Sequence, residues 1–295
     1  MKFAIHYTND FHYLSDVDEI ILDIYKGSNE ILEFVPKIDP NKDKRIIIDL
    51  RSTNEINESV TYIAKLREDG YNLAVIVSYN FGTDLINNRL KENNIPFMYG
   101  NYAVTLEQAY IQAENGASDI YVAEELAFRI KDLQRIRNKY NIKLRVFPNI
   151  AQTARRGMDI VPFEKKFWIR PEDIEVYEPF VDVFEIYGLA KANVIYEIYK
   201  QEQWKGDLGD LILSSGHHKI PNSGLDSHFG EVRLNCGKRC LLGECNLCSA
   251  MAEFAKQFDE AGIEVIKPKK QVQSKESIEL LEKMKNEPGI NKDSM

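Results

Sequence analysis

The sequence predicts an α/β protein, a (β/α)8 TIM-type barrel with a C-terminal cysteine-rich metal-binding segment. Short β-branched runs alternate with helical patterns along most of the chain, which is typical of a parallel β/α fold. The length of 295 residues suits one barrel of about 250 residues or fewer with a segment added to it. A doubly wound open sheet is the alternative, but no G-x-G-x-x-G motif follows any candidate strand.

The candidate strands are short runs rich in Ile, Val, Tyr and Phe, the residue types that favour extended backbone. They cover residues 3–7, 19–24, 45–50, 73–78, 97–99, 119–122, 143–147, 167–169 and 181–186. Candidate helices lie between them, at residues 54–68, 84–92, 105–114, 125–140 and 190–203. Thr105 is a plausible N-cap, and Thr105 with Gln108 fits a capping box.

The composition changes after the predicted barrel, which occupies residues 1–203. Residues 204–266 contain a Gly-, Asp-, Ser- and His-rich loop, the cysteine segment and a closing helix. In residues 267–295, Lys, Gln, Ser and Glu dominate, so we expect a polar and flexible tail.

The charge and hydropathy of the chain exclude some partners. The net charge is −8, and broad, non-specific binding of nucleic acid needs many Lys and Arg side chains on one face. No apolar run approaches the roughly 18 residues of a membrane span, and the apolar start of the chain is too short for a signal peptide. We therefore expect a cytoplasmic protein with no membrane partner.

The four cysteines lie within 13 residues, in the pattern C-x3-C-x4-C-x2-C formed by Cys236, Cys240, Cys245 and Cys248. In a protein without a secretion signal, such crowding indicates a metal site rather than disulfides. Four thiolates on one short segment suit a [4Fe–4S] cluster. Structural zinc is the main alternative, and disulfides or free thiols are a lesser one.

The carboxyl ends of barrel strands carry the active residues of TIM-barrel enzymes. Applied to the candidate strands, this rule predicts a set of substrate-binding residues: Asp49, Arg51, Tyr79, Asn80, Tyr99, Asn101, Glu124, Gln152 and Arg170. It also predicts three catalytic candidates, Asn149, Glu185 and Tyr187, and Arg145 is a fourth candidate on a separate ground. Tyrosines at several strand ends would suit a planar or aromatic ligand. A helix-capping role is the alternative for Asp49.

Arg145 is unusual because it lies within a candidate strand, between the apolar residues Leu144 and Val146. A buried Arg needs a carboxylate or another anion as its partner. We consider an inward-facing Arg145 that serves an anionic ligand. The alternatives are a paired Arg in the helix layer and a solvent-facing Arg near the start of the strand.

Two segments resemble the peptidase U32-like family. GASDIYV at residues 116–122 is similar to the family's GAD-x-[VI]-Y strand, and VFEIYGLAK at residues 183–191 is similar to its FKIEGRMKS segment. Tyr187 stands where the family has Glu, and Leu189 where it has Arg. A cysteine cluster near the end of the barrel is also similar, although the spacing here is more compact. The resemblance covers roughly residues 105–250.

This resemblance implies a barrel with an iron–sulfur cluster. Family members include oxygen-independent hydroxylases of RNA bases or quinone precursors, and older names call members collagenase-like peptidases. The leading hypothesis is an iron–sulfur redox enzyme with a small-molecule or RNA substrate and an electron donor or partner protein. The alternative is a non-catalytic or accessory barrel with a structural zinc. A U32-type peptidase is the weaker alternative, since the sequence has neither G-x-S-x-G nor H-E-x-x-H.

Overall fold

Eight parallel strands close into a barrel in the order of the sequence. The structure is a computed structural model that describes residues 2–25, 27–51, 55–78, 83–150, 168–188, 191–201, 204–211, 220–225, 229–235 and 250–251. The strands are β1 Phe3–His6, β2 Glu19–Asp23, β3 Arg45–Asp49, β4 Asn72–Val77, β5 Phe97–Tyr99, β6 Asp119–Tyr121, β7 Lys143–Val146 and β8 Val183–Ile186. The barrel closes where β8 pairs with β1, with Glu185 opposite Ala4. The predicted TIM-type barrel is thereby confirmed.

Helices occupy most of the connections between strands. Those within the barrel are α1 Asn29–Ile38, α2 Ile56–Glu68, α3 Thr83–Glu92, α4 Leu106–Glu114, α5 Glu124–Ala127, α6 Ile130–Lys139 and α7 Ile174–Tyr177. After β8 come α8 Ala192–Tyr199, α9 Leu208–Leu211 and α10 Phe229–Asn235. Thr105 caps α4 as predicted, because its side chain accepts a hydrogen bond from the backbone N–H of Gln108.

The prediction of a strand at residues 167–169 is wrong for Trp168 and Ile169, which lie outside any strand. β7 pairs directly with β8, with Arg145 opposite Val183, so the sheet has no place between them. Trp168 is instead buried and stacks on Phe229 of α10, with ring centroids 5.5 Å apart. Its apolar character serves packing outside the barrel wall.

The single helix predicted for residues 125–140 is two helices, α5 and α6. The backbone leaves the helical region at Arg129, where φ is −104° and ψ is 80°. Just before this break, the buried Phe128 ring lies 4.9 Å from the guanidinium carbon of Arg233 in α10. The break therefore coincides with a contact between the barrel and the segment that follows it.

Alternation along each strand divides the apolar residues into two layers. One set faces outward and packs beneath the helices. The other fills the barrel interior and consists of Ala4, Ile21, Ile47, Ala74, Ile76, Met98, Tyr121 and Val183. In the predicted region 204–266, Leu208, Leu211, Leu225 and Phe229 join the outer layer. Among the described residues, none of the helices is long and apolar enough to cross a membrane.

Candidate functional site

The inward-facing residues at the carboxyl ends of the strands are polar or aromatic. We call this end of the barrel the mouth, defined by His6, Asp23, Asp49, Tyr121, Phe147, Glu185 and Tyr187 together with the adjoining Tyr25, Arg51, Gly100 and Tyr102. Strand geometry brings these side chains together because successive residues point to opposite faces and the parallel strands end on the same side. The lower interior contains a second polar group described below.

His6, at the end of β1, lies between two carboxylates. Its Nδ1 is 3.1 Å from Oδ2 of Asp23, and its Nε2 is 3.1 Å from Oε1 of Glu185. Both ring nitrogens can donate hydrogen bonds only in the imidazolium form. Burial opposes that charge, but the hydrogen bonds to Asp23 and Glu185 outweigh it and raise the pKa of His6 to about 9. The mouth therefore contains a charged histidine at neutral pH.

Glu185 links the mouth to the barrel interior. Its Oε2 accepts hydrogen bonds from the Tyr121 hydroxyl at 2.7 Å and from Nη2 of Arg145 at 3.0 Å. Burial by itself would raise the pKa of Glu185, but the hydrogen bond from His6 and the charge of Arg145 lower it below its ordinary value. Burial and the neighbouring Glu185 charge raise the pKa of Tyr121 well above its ordinary value. Glu185 is thus an ionised acceptor and Tyr121 a neutral donor.

Arg145 faces the interior and is fully buried. Besides Glu185, its guanidinium binds Glu19 and Asp119, the latter at 3.3 Å. Arg45, lower in the barrel, binds the same Asp119 through two 2.7 Å hydrogen bonds. Arg145 therefore faces inward as the first alternative predicts, but its partners are carboxylates of the chain itself and not an anionic ligand.

Asp49 and Arg51 form an ion pair at the end of β3. Nε of Arg51 lies 3.0 Å from both carboxylate oxygens of Asp49, and Nη1 lies 3.3 Å from the backbone oxygen of Gly100, just after β5. The Arg51 side chain is 40% exposed, whereas that of Asp49 is 7% exposed. The hydrogen bond with Asp49 raises the pKa of Arg51 above its ordinary value.

Aromatic side chains line the mouth beside these charged groups. Phe147 stacks on Tyr121 at 5.3 Å, and Tyr102 meets Phe147 edge to face at 5.7 Å. Tyr187 contacts Phe147 at 6.3 Å and His6 at 5.2 Å. Tyr187 is 40% exposed and Tyr25, which follows β2, is 72% exposed. Asn149 fixes Tyr187 by accepting from its backbone N–H at 3.0 Å and donating to its carbonyl at 2.6 Å.

Two of the predicted site residues, Tyr99 and Arg170, lie elsewhere. Tyr99 points outward into the helix layer, where Asn87 donates a 2.6 Å hydrogen bond to its hydroxyl. Arg170 is fully buried outside the barrel and binds Asp173, with 2.8 Å between Nη2 and Oδ1. Asn101 stands between the mouth residues Gly100 and Tyr102; it is exposed, and its carbonyl accepts a hydrogen bond from the Gln112 side chain. Tyr99 is not part of the mouth because its position in β5 directs the side chain outward. Arg170 is not part of the mouth because the residues before it do not form a barrel strand.

The remaining predicted residues lie at or beyond the edge of the described structure. Glu124 begins α5, but its side chain is outside the description. Tyr79, Asn80, Gln152 and the four cysteines Cys236, Cys240, Cys245 and Cys248 lie outside the described residues. Within the described ranges, no group of three His, Cys, Asp or Glu side chains could hold a metal ion.

Sequence reasoning missed His6 and Asp23, which complete the charged centre of the mouth. The signal was available, because both are polar residues at the end of apolar runs and occupy the same alternation phase as the inward Ala4 and Ile21. Tyr121 was likewise treated only as part of a strand. These residues can be found by choosing, at the carboxyl end of every strand, the residues whose side chains alternate toward the barrel interior.

The fold and the mouth define a TIM-type β/α barrel protein with a charged and aromatic carboxyl end. No protein-family model matches the chain. Over 99 residues, it is 31% identical to a protein named "Uncharacterized protease MJ1657" from Methanocaldococcus jannaschii. That match covers 31% of this chain and 29% of the relative, so the chain matches less than a third of the relative's length.

Two solved structures resemble the chain loosely. The U32 peptidase Mk0906 aligns with 64% of this chain and 93% of its own, at 14% identity and a TM-score of 0.39. A designed cube-shaped, highly porous protein cage aligns with 99% of this chain and 95% of its own, at 12% identity and a TM-score of 0.35. A protein named as a protease and one named as a U32 peptidase are thus among the similar proteins.

Proposed function

We propose that the chain is an enzyme of U32-like type that acts on a small organic molecule or an RNA base at the barrel mouth. The observation that carries the proposal is the charged centre formed by His6, Asp23 and Glu185 at the carboxyl ends of the strands. Ionised groups buried at this end cost desolvation energy, and perturbed groups of this kind concentrate at functional sites. Exposed aromatic side chains beside them offer a surface for a planar substrate.

We further propose that Cys236, Cys240, Cys245 and Cys248 hold a [4Fe–4S] cluster. The donor set fits, because such clusters are held by four thiolates and the four cysteines are close together in the sequence. When bound, the cluster would supply electron transfer, consistent with oxygen-independent oxidation or hydroxylation and with an electron donor or partner protein. The cysteine segment directly follows α10, whose Arg233 donates a 2.8 Å hydrogen bond to the carbonyl of Trp168.

The chain's own residues would bind and orient the substrate. Hydrogen bonds from His6 and Arg145 stabilise the negative charge of Glu185. Asn149 binds the backbone of Tyr187 and so fixes the point from which the Tyr187 side chain extends. A peptidase is less well supported by the geometry. Both nitrogens of His6 face carboxylates, an arrangement unlike that of a histidine that activates a nucleophile.

The test is the metal content of the full chain purified without oxygen. About four irons and four sulfides per chain, with broad absorbance near ~400 nm, would support the cluster. One zinc per chain without iron would overturn the iron–sulfur proposal and favour the accessory barrel with a structural zinc. A chain with neither metal would overturn both assignments of the cysteines.

A further inference from the structure

Arg51 extends from the end of one strand across the mouth to a neighbouring connection. It follows β3, yet its guanidinium reaches the carbonyl of Gly100 after β5, passing the end of β4. Asp49 holds the other side of the guanidinium at 3.0 Å from Nε. Two contacts, one with β3 and one with the connection after β5, therefore fix the direction of this side chain before any ligand arrives.

Gly100 makes this position possible. A Cβ atom on Gly100 would lie 2.3 Å from Cδ of Arg51 and 2.9 Å from its Nε and Nη1. Real Cβ contacts are not that short, so any side chain at residue 100 would displace the guanidinium. Since the clash is with a flexible side chain and not with the backbone, Arg51 would move while the barrel stays intact.

The charges of the mouth are arranged so that a cation faces outward. Arg51 is 40% exposed and its partner Asp49 only 7%. Across the mouth, the carboxylates of Asp23 and Glu185 are directed to His6, and their side chains are 20% and 1% exposed. An incoming ligand therefore meets N–H donors of a guanidinium, which pairs well with carboxylates.

Aromatic rings stand close to this cation. Tyr102 follows two residues after Gly100, whose carbonyl binds Arg51, and its ring meets that of Tyr121 edge to face with centroids 5.9 Å apart. Phe147 lies against both rings and leads on to the half-exposed Tyr187. A flat ring could pack on this surface while a substituent on it reaches Arg51.

We propose that the mouth binds a planar ligand bearing a carboxylate, which pairs with Arg51 while the ring packs against Tyr102, Phe147 and Tyr187. This deepens the proposed function by giving the substrate a chemical class, and it depends on that function only in placing the substrate at the mouth. It assigns to Arg51 the anion-binding role considered for Arg145, whose guanidinium is held by Glu19, Asp119 and Glu185.

The experiment measures binding of small probes to the full chain by calorimetry. Benzoate carries the ring and the negative charge, benzamidinium carries the ring with the opposite charge, and acetate carries the charge without the ring. We expect saturable benzoate binding with a Kd on the order of 1 mM, and weaker binding of the other two. Arg51→Gln and Gly100→Ala should each weaken benzoate binding about tenfold, as loss of one charge-assisted pair predicts.

Arg135→Gln is the matched control, because Arg135 is 64% exposed and pairs with Asp132 on α6, away from the mouth. It should bind benzoate like the wild type, and all variants should keep the far-ultraviolet circular dichroism of the wild type. Tighter binding of benzamidinium than of benzoate would overturn the proposal, as would equal binding of acetate. Unchanged benzoate affinity in Arg51→Gln, or no benzoate binding at all, would do the same. Metal analysis tests the proposed function separately, so the two failures are distinguishable.

Discussion

The Nε2 atom of His6 lies 3.1 Å from Oε1 of Glu185, across the seam where the last strand of the barrel pairs with the first. The two residues are separated by 179 positions in the sequence. Their contact therefore forms only when the barrel closes. It joins the exposed end of the barrel, through Glu185, to the buried Arg145.

The stability of the protein should depend on the charge of His6. The pKa of His6 rises from its ordinary value of 6.5, taken for the unfolded chain, to about 9 in the native protein. A shift of one pKa unit corresponds to about 1.4 kcal/mol. Because the native pKa is the higher one, the stabilisation is complete below pH 6.5 and is lost as the pH rises through 9. Between these limits the wild type should lose on the order of 3 kcal/mol of unfolding free energy.

Urea denaturation at pH 6 and pH 10 measures this loss, with His6→Gln as the control for all other titrating groups. The variant should show a smaller decrease over the same interval, since it has no imidazole to titrate. If the two proteins lose the same free energy, His6 is not held as an imidazolium.

Replacing Arg145 should destabilise the barrel strongly. Arg145→Met leaves the carboxylates of Glu19, Asp119 and Glu185 without a buried cation that contacts all three. Removing one partner of a buried ionic group costs about 3–5 kcal/mol. Chemical denaturation at neutral pH measures the difference.

Lys143→Met on the same strand is its matched control. Lys143 contacts the same Glu19 at 3.5 Å but is 40% exposed, so its loss should cost less than about 1 kcal/mol. If the two variants lose similar unfolding free energy, the burial of Arg145 does not determine its contribution to stability.

Two tyrosines at strand ends should respond differently to loss of their hydroxyl groups. Tyr99→Phe removes the acceptor for the buried Asn87 amide, which should cost about 1–3 kcal/mol of unfolding free energy. Tyr187→Phe alters a half-exposed side chain and should change stability by less than about 0.5 kcal/mol. Thermal or urea denaturation of both variants measures the two changes. A larger loss of unfolding free energy for Tyr187→Phe would contradict the placement of Tyr99 in the buried helix layer and of Tyr187 at the exposed mouth.

The cysteine segment offers a test that separates metal binding from folding. Cys245→Ser should remove the visible absorbance of an iron–sulfur protein and leave the far-ultraviolet circular dichroism of the barrel largely intact, because the barrel strands occupy residues 3–186. Iron analysis and absorbance on anaerobically purified protein measure the first effect. A variant with wild-type iron and absorbance would rule out Cys245 as a ligand.

Part of the mouth could be predicted from the sequence because strand ends follow from local pattern. Asp49, Arg51, Glu185 and Tyr187 were placed correctly at the carboxyl ends of their strands. Tyr99 failed because its alternation phase directs it to the helix layer. Arg170 failed because the run before it, although apolar, packs on α10 through Trp168 and is not a strand. An apolar run by itself does not distinguish a buried barrel strand from a segment that packs against the outside of the barrel.

The alternation of strands and helices could be predicted from the sequence because side-chain periodicity is a local property. Closure into a barrel, as opposed to an open sheet, depends on the pairing of β8 with β1. The close spacing of the four cysteines is visible in the sequence, but which charged groups meet depends on the folded chain. Only closure of β8 on β1 brings Glu185 to His6, and only the inward face of β7 brings Arg145 to three carboxylates. These pairings depend on residues far apart in the chain, which the register of the closed sheet brings within hydrogen-bond distance.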